Sequence, residues 1–446
     1  MNREITRQLL DFLQKSPSPY HAVANMAKEL EDHGYRCLYE EEGWELLPGG
    51  RYYVTRGGSA LIAFVLPDQP KPESFQIMAS HSDSPTFKLK EAPELLVDDR
   101  FVKLNVEKYG GMLMAPWFDR PLSIAGRLLV RQGEEIQGRL ADAGRDLVMI
   151  PNLAIHMNRN ANDGQSYNPQ VDLLPLFGGR EAKGKLMTIM AESAGVSPED
   201  VVASDLFLYN RMPGTIWGAN EEFVSCGRLD DLQCAFASLK GLLAAEANPR
   251  RAMVHCVFDN EEVGSLTRQG AASTFLKDVL TRIAEDLSMS REEYLRALAG
   301  SFMVSADNAH SVHPNHGEKA DQVNRPYLNE GIVVKFSANQ RYTTDGASAA
   351  VFRELCRQAE VPCQTFFNRS DMVGGSTLGN LSNGQVALHT VDIGLPQLAM
   401  HSPYETAGVE DTASLVKAAA AFYGADIAIR RDGCYRVSLG KGSGRP

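Results

Sequence analysis

Cysteine is scarce and scattered, with seven in 446 residues and no C-x-x-C pair. An odd number at irregular spacings builds neither a disulfide framework nor a thiolate zinc site, so any metal would have to use oxygen and imidazole ligands. No apolar run approaches the roughly 18 residues that a membrane-spanning helix needs. The opening Met1-Asn2-Arg3-Glu4 also lacks the apolar stretch of a signal peptide, and the expected location is therefore cytosolic, away from membranes. Positive charge is in deficit: 45 Lys and Arg stand against 56 Asp and Glu, a formal net charge of -11. That balance argues against nucleic acid or acidic membranes as partners, because both need a basic footprint. A glycine-rich phosphate loop is missing too. The nearest cluster, Gly374-Gly375-Ser376-Thr377-Leu378-Gly379, has no lysine and reads instead as backbone lining a substrate cleft near His401.

What remains is a globular composition, 43% hydrophobic and 8% aromatic, in a chain too long for one ordinary core. Residues 5 to 30 read as two short amphipathic helices parted by Ser16-Pro17-Ser18-Pro19, where proline forbids continuity. Phe75 to Ser80 reads as a buried strand. From about residue 88 to 225 the texture becomes short β-like runs with frequent glycine, as in Gly126 to Val130, and few helical periods. Alternation of helix and strand signals then resumes. Helices are expected at Leu232 to Leu242, Ala271 to Ala284, Ala347 to Ala359 and Thr412 to Tyr423, and strands at Val254 to Phe258, Phe302 to Ser305, Gly331 to Phe336, Cys363 to Phe367 and Val386 to Val391. The expected fold class is α/β, a mixed, largely parallel sheet flanked by helices, with an inserted, mostly β domain. Residues 1-87 and 226-446 would form one discontinuous domain around an insertion of 88-225.

Sheets of this kind carry their sites at the carboxyl ends of strands, and the chemistry-bearing residues fall there. His81 and Asp83 follow the Phe75 to Ser80 run. Two residues apart in extended chain, their side chains share a face, so the imidazole can bind a metal while the carboxylate orients it. Alone, H-x-D more often marks a capped turn with an exposed histidine than a metal. Asp259-Asn260-Glu261-Glu262 follows the apolar Val254 to Phe258. Adjacent glutamates point in different directions, so one can ligate while the other serves as a base, although an isolated pair also fits a solvated acidic loop. Asp307 ends the run from Phe302, Asp230 and Asp231 precede the helix from Leu232, where Asp231 also fits an N-cap, and His401 leaves the apolar Leu395 to Met400. Together these supply two histidines and at least three carboxylates, a ligand mixture suited to a pair of zinc-like ions.

The segments M-A-S-H-S-D-S-P at 78 to 85, I-P-N-L-A-I-H at 150 to 156, G-R-L-D-D at 227 to 231, F-D-N-E-E-V-G-S at 258 to 265, S-A-D-N-A-H-S-V-H-P-N at 305 to 315 and P-Q-L-A-M-H-S at 396 to 402 resemble the M18 family of metallopeptidases, the aspartyl aminopeptidases. The likeness covers essentially the whole chain. It implies a zinc exopeptidase-like core and an inserted oligomerisation domain. His81, Asp230, Glu262, Asp307 and His401 would be the ligands of two Zn2+ ions per subunit, with Asp230 bridging them. It further implies Glu261 as general base, Asp83 as the residue orienting His81, and His156 as a group sent into a neighbouring subunit's site. Dimers assembled into a tetrahedral dodecamer, and peptide substrates with acidic first residues, are also implied. Lys335, in the otherwise apolar Gly331 to Phe336, would receive the acidic side chain; a snorkelling surface lysine is the plainer alternative, and Asp345 could neutralise it. Mn2+ or Co2+ would suit the same ligands. Asp231, Thr343, Thr344 and Asp345 depart from the family pattern and bear on specificity and metal affinity. A broader-specificity aminopeptidase, or a deacylase or carboxypeptidase using the same two-metal chemistry, is the alternative reading.

Overall fold

Four β-sheets organise the chain in a computed structural model that describes residues 2–431 and 433–439. The largest has nine strands, in the spatial order Arg36–Leu38, Arg51–Arg56, Ala60–Val65, Arg251–Phe258, Ser74–His81, Phe302–Ala306, His389–Gly394, Ile332–Phe336 and Cys363–Phe367. Its four middle strands, from Arg251–Phe258 to His389–Gly394, run parallel, and antiparallel pairings occur only toward the flanks. The fold class is thus α/β with a mixed, largely parallel sheet.

Both faces of this sheet are covered, which is why its middle strands are apolar almost throughout rather than alternating. Along Ser74–His81, Phe75, Ile77 and Ala79 turn to one face and pack with the helices Phe275–Asp286 and Arg291–Ala299. Met78 turns to the other, where Leu229–Ala244 and Asp411–Gly424 lie with the two N-terminal helices, Asn2–Lys15 and Pro19–Asp32. The break between those two helices falls at the Ser16 to Pro19 stretch, with Ser18 as N-cap and Pro19 in the first turn.

A six-stranded antiparallel sheet is made entirely from strands between Thr86 and Gly179 together with Val201–Asn210. It has its own core around Phe87, Leu104, Trp117 and Leu128. The strands Thr215–Trp217 and Phe223–Cys226 pair away from it, joining Glu405–Gly408, Pro396–Leu398 and Ala309–His310 in a small five-stranded sheet beside the site. No described helix is long and apolar enough to cross a membrane.

Several elements differ from the sequence expectation. The strand expected at Val386 to Val391 lies at His389–Gly394, because Val386 donates its N–H back to the Ser382 carbonyl and prolongs the turn of the preceding helix, Leu378–Asn383. The helix expected from Ala271 begins at Phe275; before it, Ala272 and Ser273 close turns onto Ser265 and Gly270. Asp345 caps the helix Gly346–Gln358, accepting the Ser348 N–H at 2.7 Å in a capping box, so its carboxylate is engaged locally rather than with Lys335.

Candidate metal centre

Strand register builds the site. Phe258 lies opposite His81 on one side of the Ser74–His81 strand, and Ser305 lies opposite Ala79 on the other. Continuing each chain past its last pairing brings Glu261 and Glu262, His81, and Asp307 out side by side, since neighbouring strands stand about 4.8 Å apart. Asp230 enters from the start of the Leu229–Ala244 helix, where the backbone of Asp230 and Asp231 is not yet helical. His401 follows the Pro396–Leu398 strand, in a turn where both Ala399 and His401 adopt positive φ.

The side chains converge. His81 Nε2 lies 3.5 Å from Asp230 Oδ1 and 3.7 Å from Asp307 Oδ1. His401 Nε2 lies 3.3 Å from Asp230 Oδ2 and 3.4 Å from Glu262 Oε2. One oxygen of Asp230 therefore faces each histidine. Three overlapping groups have all their donor atoms within 4.8 Å of one another: His81, Asp230 and Asp307; Asp230, Glu262 and His401; and His81, Glu261 and Glu262.

The residues fit divalent cations on two physical grounds. Asp230 Oδ1 and Glu262 Oε1 are buried with no hydrogen-bond partner among the described residues, a costly state unless a cation meets them. The crowding of acidic groups also strains the site electrostatically. Burial, then the charges of Asp307, Asp83 and Asp230, pushes Glu261 up to about 8, against the countering effect of His81. Glu262 is likewise held well above the usual carboxylate range, by burial and then by Asp230. Burial opposes the charged form of His401, but Asp230 outweighs it and lifts the imidazole to about 8. Bound dications would relieve this repulsion and hold the carboxylates ionised.

A second set of residues holds the first in place. Asp83 lies with Oδ1 3.3 Å from His81 Nδ1, and its carboxylate accepts the backbone N–H groups of Glu261 and Glu262 at 3.1 and 3.2 Å. Glu405 accepts the backbone N–H of His401 at 2.8 Å and that of Asp230 at 3.1 Å. Asp231 accepts the backbone N–H of His81 at 3.1 Å, a task distinct from simple helix capping. Glu405 and Tyr109, whose hydroxyl reaches Asp83, were not singled out in the sequence. A carboxylate four residues after His401 was the available signal for Glu405; Tyr109 offered none without the strand register.

The acidic cluster opens on a cavity of about 290 Å³, lined among others by Glu261, Lys335, Tyr342 and Thr377. Gly375 and His401 line it together, as the glycine-cluster reading expected. A second cavity of about 220 Å³ shares His310, Phe366 and Gly375 with it and extends it toward His313 and Met372. Lys335 is only 2% exposed and pairs with Asp307, which excludes the snorkelling surface role. His156 alone stays apart: it is exposed in a turn after Ile150 and joins none of the three groups. Beside it Leu153, Ile155 and Met157 are 55%, 48% and 74% exposed.

A profile of the family described as Aminopeptidase I zinc metalloprotease (M18) matches residues 12–423. The chain is 46% identical over 427 residues to "Probable M18 family aminopeptidase 2" of Clostridium acetobutylicum, covering 94% of this chain and 98% of that protein. It is 44% identical over 430 residues to the protein of the same name from Pseudomonas aeruginosa, covering 95% and 99%. Among solved structures, the crystal structure of prApe1 superposes with a TM-score of 0.89 at 30% identity, covering 95% of each chain. The S. cerevisiae mApe1 dodecamer superposes with a TM-score of 0.83 at 29% identity, covering 94% of this chain and 96% of that one.

Proposed function

Because this chain belongs to the M18 family of zinc metalloproteases and is an aminopeptidase, we propose that it removes the first residue of peptides with two zinc ions per subunit. His81 and Asp307 would hold one ion, Glu262 and His401 the other, and Asp230 both. The observation that carries this reading is the division of Asp230, whose two oxygens face His81 and His401 separately. When bound, a pair of divalent ions supplies Lewis acidity, making water a better nucleophile near neutral pH and the scissile carbonyl a better electrophile.

The protein's own groups do the rest. Glu261 lines the cavity and lies outside the five proposed ligands, which leaves it free to act as general base. It takes a proton from the attacking water and returns it to the departing amine, so the peptide C–N bond breaks without an anionic leaving group. Asp83 fixes the backbone of Glu261 and Glu262 and the ring of His81, keeping base and ligands in register.

Acidic first residues are the proposed substrates, with Lys335 as the cation of their pocket. Its ammonium has three donors, and Asp307 engages one of them. That same pairing is what a broader-specificity aminopeptidase would show, and a substrate panel separates the two. Residues 88-225 are proposed as an inserted, oligomer-building domain, supported by the separate core of the six-stranded sheet. The exposed Leu153, Ile155 and Met157 would dock against a second copy and carry His156 to that copy's site, within dimers assembled into a tetrahedral dodecamer.

The reading is tested by Glu261→Gln. Metal content, measured elementally for zinc, manganese and cobalt, should stay at two ions per subunit while kcat falls by about 10²–10⁴-fold. A variant with near-normal kcat would remove Glu261 from the mechanism.

A further inference from the structure

The six-stranded sheet reaches Asp83 through the end of its first hairpin. Its hairpin leaves the metal-bearing part of the chain at Pro85 and pairs Thr86 with Tyr109, so that Tyr109 arrives back beside His81, Ser82 and Asp83. The Tyr109 hydroxyl donates to Asp83 Oδ2 at 2.8 Å and accepts from Asn260 Nδ2 at 2.8 Å. Of the hydrogen bonds that Asp83's carboxylate receives, this is the shortest. The ring is fixed by an edge contact with Phe207, 5.6 Å between centroids. Burial, reinforced by Asp83 and Asp259, holds the phenol above its usual range and so keeps it a donor.

The next residues continue the contact. Gly110 sits at φ +78°, where a Cβ would come within 3.1 Å of Glu262 Cβ and 3.2 Å of its carbonyl, so only glycine lets the backbone approach so closely. Leu113 donates its N–H to the His401 carbonyl at 3.1 Å. Five consecutive residues thereby brace Asp83, Glu262 and His401 from a sheet that contributes no ligand.

We propose that Tyr109 is a positioning residue for the metal centre, acting through Asp83, and that the Tyr109–Leu113 segment makes the geometry of the ligands depend on the seating of the six-stranded sheet. This rests on the ligand set proposed above. Without the phenol, Asp83 Oδ2 keeps only the longer bond from the Glu262 N–H. The orientation of His81 and the backbone that carries Glu261 and Glu262 would then loosen together.

The test compares the full-length, zinc-loaded enzyme with Tyr109→Phe, Tyr209→Phe and Asp230→Ala. Tyr209 lies in the same sheet and donates to Asp142 at 2.7 Å, so its variant loses an equivalent phenol hydrogen bond that does not involve Asp83. Three quantities are read: kcat and KM separately, the rate of zinc transfer to a chromophoric chelator, and the melting midpoint of zinc-stripped protein. Tyr109→Phe should lower kcat about tenfold or more with KM changed less than about twofold, the expected scale for one hydrogen bond to a charged group. It should also release zinc several-fold faster, while its zinc-stripped midpoint matches that of Tyr209→Phe. Wild-type kcat and zinc release in Tyr109→Phe would overturn the proposal, as would an equal loss in Tyr209→Phe. Asp230→Ala separates the two readings: if it retains both ions the ligand set itself falls, whereas if it loses zinc and Tyr109→Phe is unchanged only the positioning role falls.

Discussion

Lys335 places its ammonium 3.3 Å from Asp307 Oδ2, with both side chains largely withdrawn from solvent. Burial alone would discharge the amine, but the charge of Asp307, with Tyr342 and Asp392 nearby, outweighs it and raises its pKa. A permanent cation thus sits against the outer oxygen of a proposed metal ligand while lining the substrate cavity. For Lys335→Met, kcat/KM for aspartyl and glutamyl substrates should drop about 5- to 150-fold relative to leucyl and alanyl ones. A wild type that favours leucyl over aspartyl, or a Met variant with undiminished acidic preference, would refute the pocket role.

Asp230 carries the greatest load in the site. Asp230→Ala should lose at least one ion by elemental analysis and with it nearly all turnover, since the carboxylate proposed to be shared by both ions no longer offsets their repulsion. Because binding energy is removed from the folded state, the melting midpoint in excess zinc should fall toward that of stripped enzyme. Full occupancy of both positions would show that Asp230 bridges nothing.

Acid should weaken the fold through a residue remote from the catalytic cavity. His255 is fully buried in the Arg251–Phe258 strand; its Nδ1 meets Ser238 Oγ at 2.9 Å, and its Nε2 has no partner among the described residues. Burial lowers its pKa to about 3. The unfolded chain binds the extra proton from pH about 6.5 downward while the folded one refuses it, so stability is whole above that range and is lost as pH falls toward 3. From pH 7 to pH 5 this group alone should cost about 2 kcal/mol. Denaturant titrations of His255→Gln, which cannot ionise, should show a shallower loss over the same interval. An identical slope would dismiss His255 as the acid-sensitive group.

His156→Phe should impair turnover although the residue joins no metal group in its own subunit. Mixing this variant with Glu261→Gln before reassembly should restore activity, because some sites would then combine an intact base with an intact His156 from the neighbour. Unchanged activity in a fully assembled His156→Phe enzyme would remove the residue from the reaction.

The parts of the site legible in the sequence were those tied to buried strands. His81, Glu261, Glu262 and Asp307 could be singled out because each follows an apolar run, and in a sheet covered on both faces such runs are nearly continuous. Tyr109 and Glu405 stayed hidden because their partners are fixed by register and by a small second sheet, neither of which leaves a local pattern. The helix Arg291–Ala299 is short, and its apolar face, Tyr294, Ala297 and Leu298, spans little more than one turn, so its clearest sequence signal is the Ser290–Glu293 capping box. The strand at His389–Gly394 starts later than the apolar run implies because Val386 closes a helical turn with its backbone N–H rather than opening a strand.

The distance in sequence between the first and last converging side chains has a consequence for synthesis. His81 and His401 are about 320 residues apart, and at translation speeds of about 5–20 residues per second the ribosome needs tens of seconds to make the stretch between them. Once Glu261 and Glu262 have been made, the nascent polypeptide has its proposed base and several acidic groups, but not yet the imidazole that faces Glu262. A peptide-cutting centre built on the proposed ligand set would stay incomplete until His401 has been translated, so a copy that stops short of that residue would not trim its neighbours on the polysome.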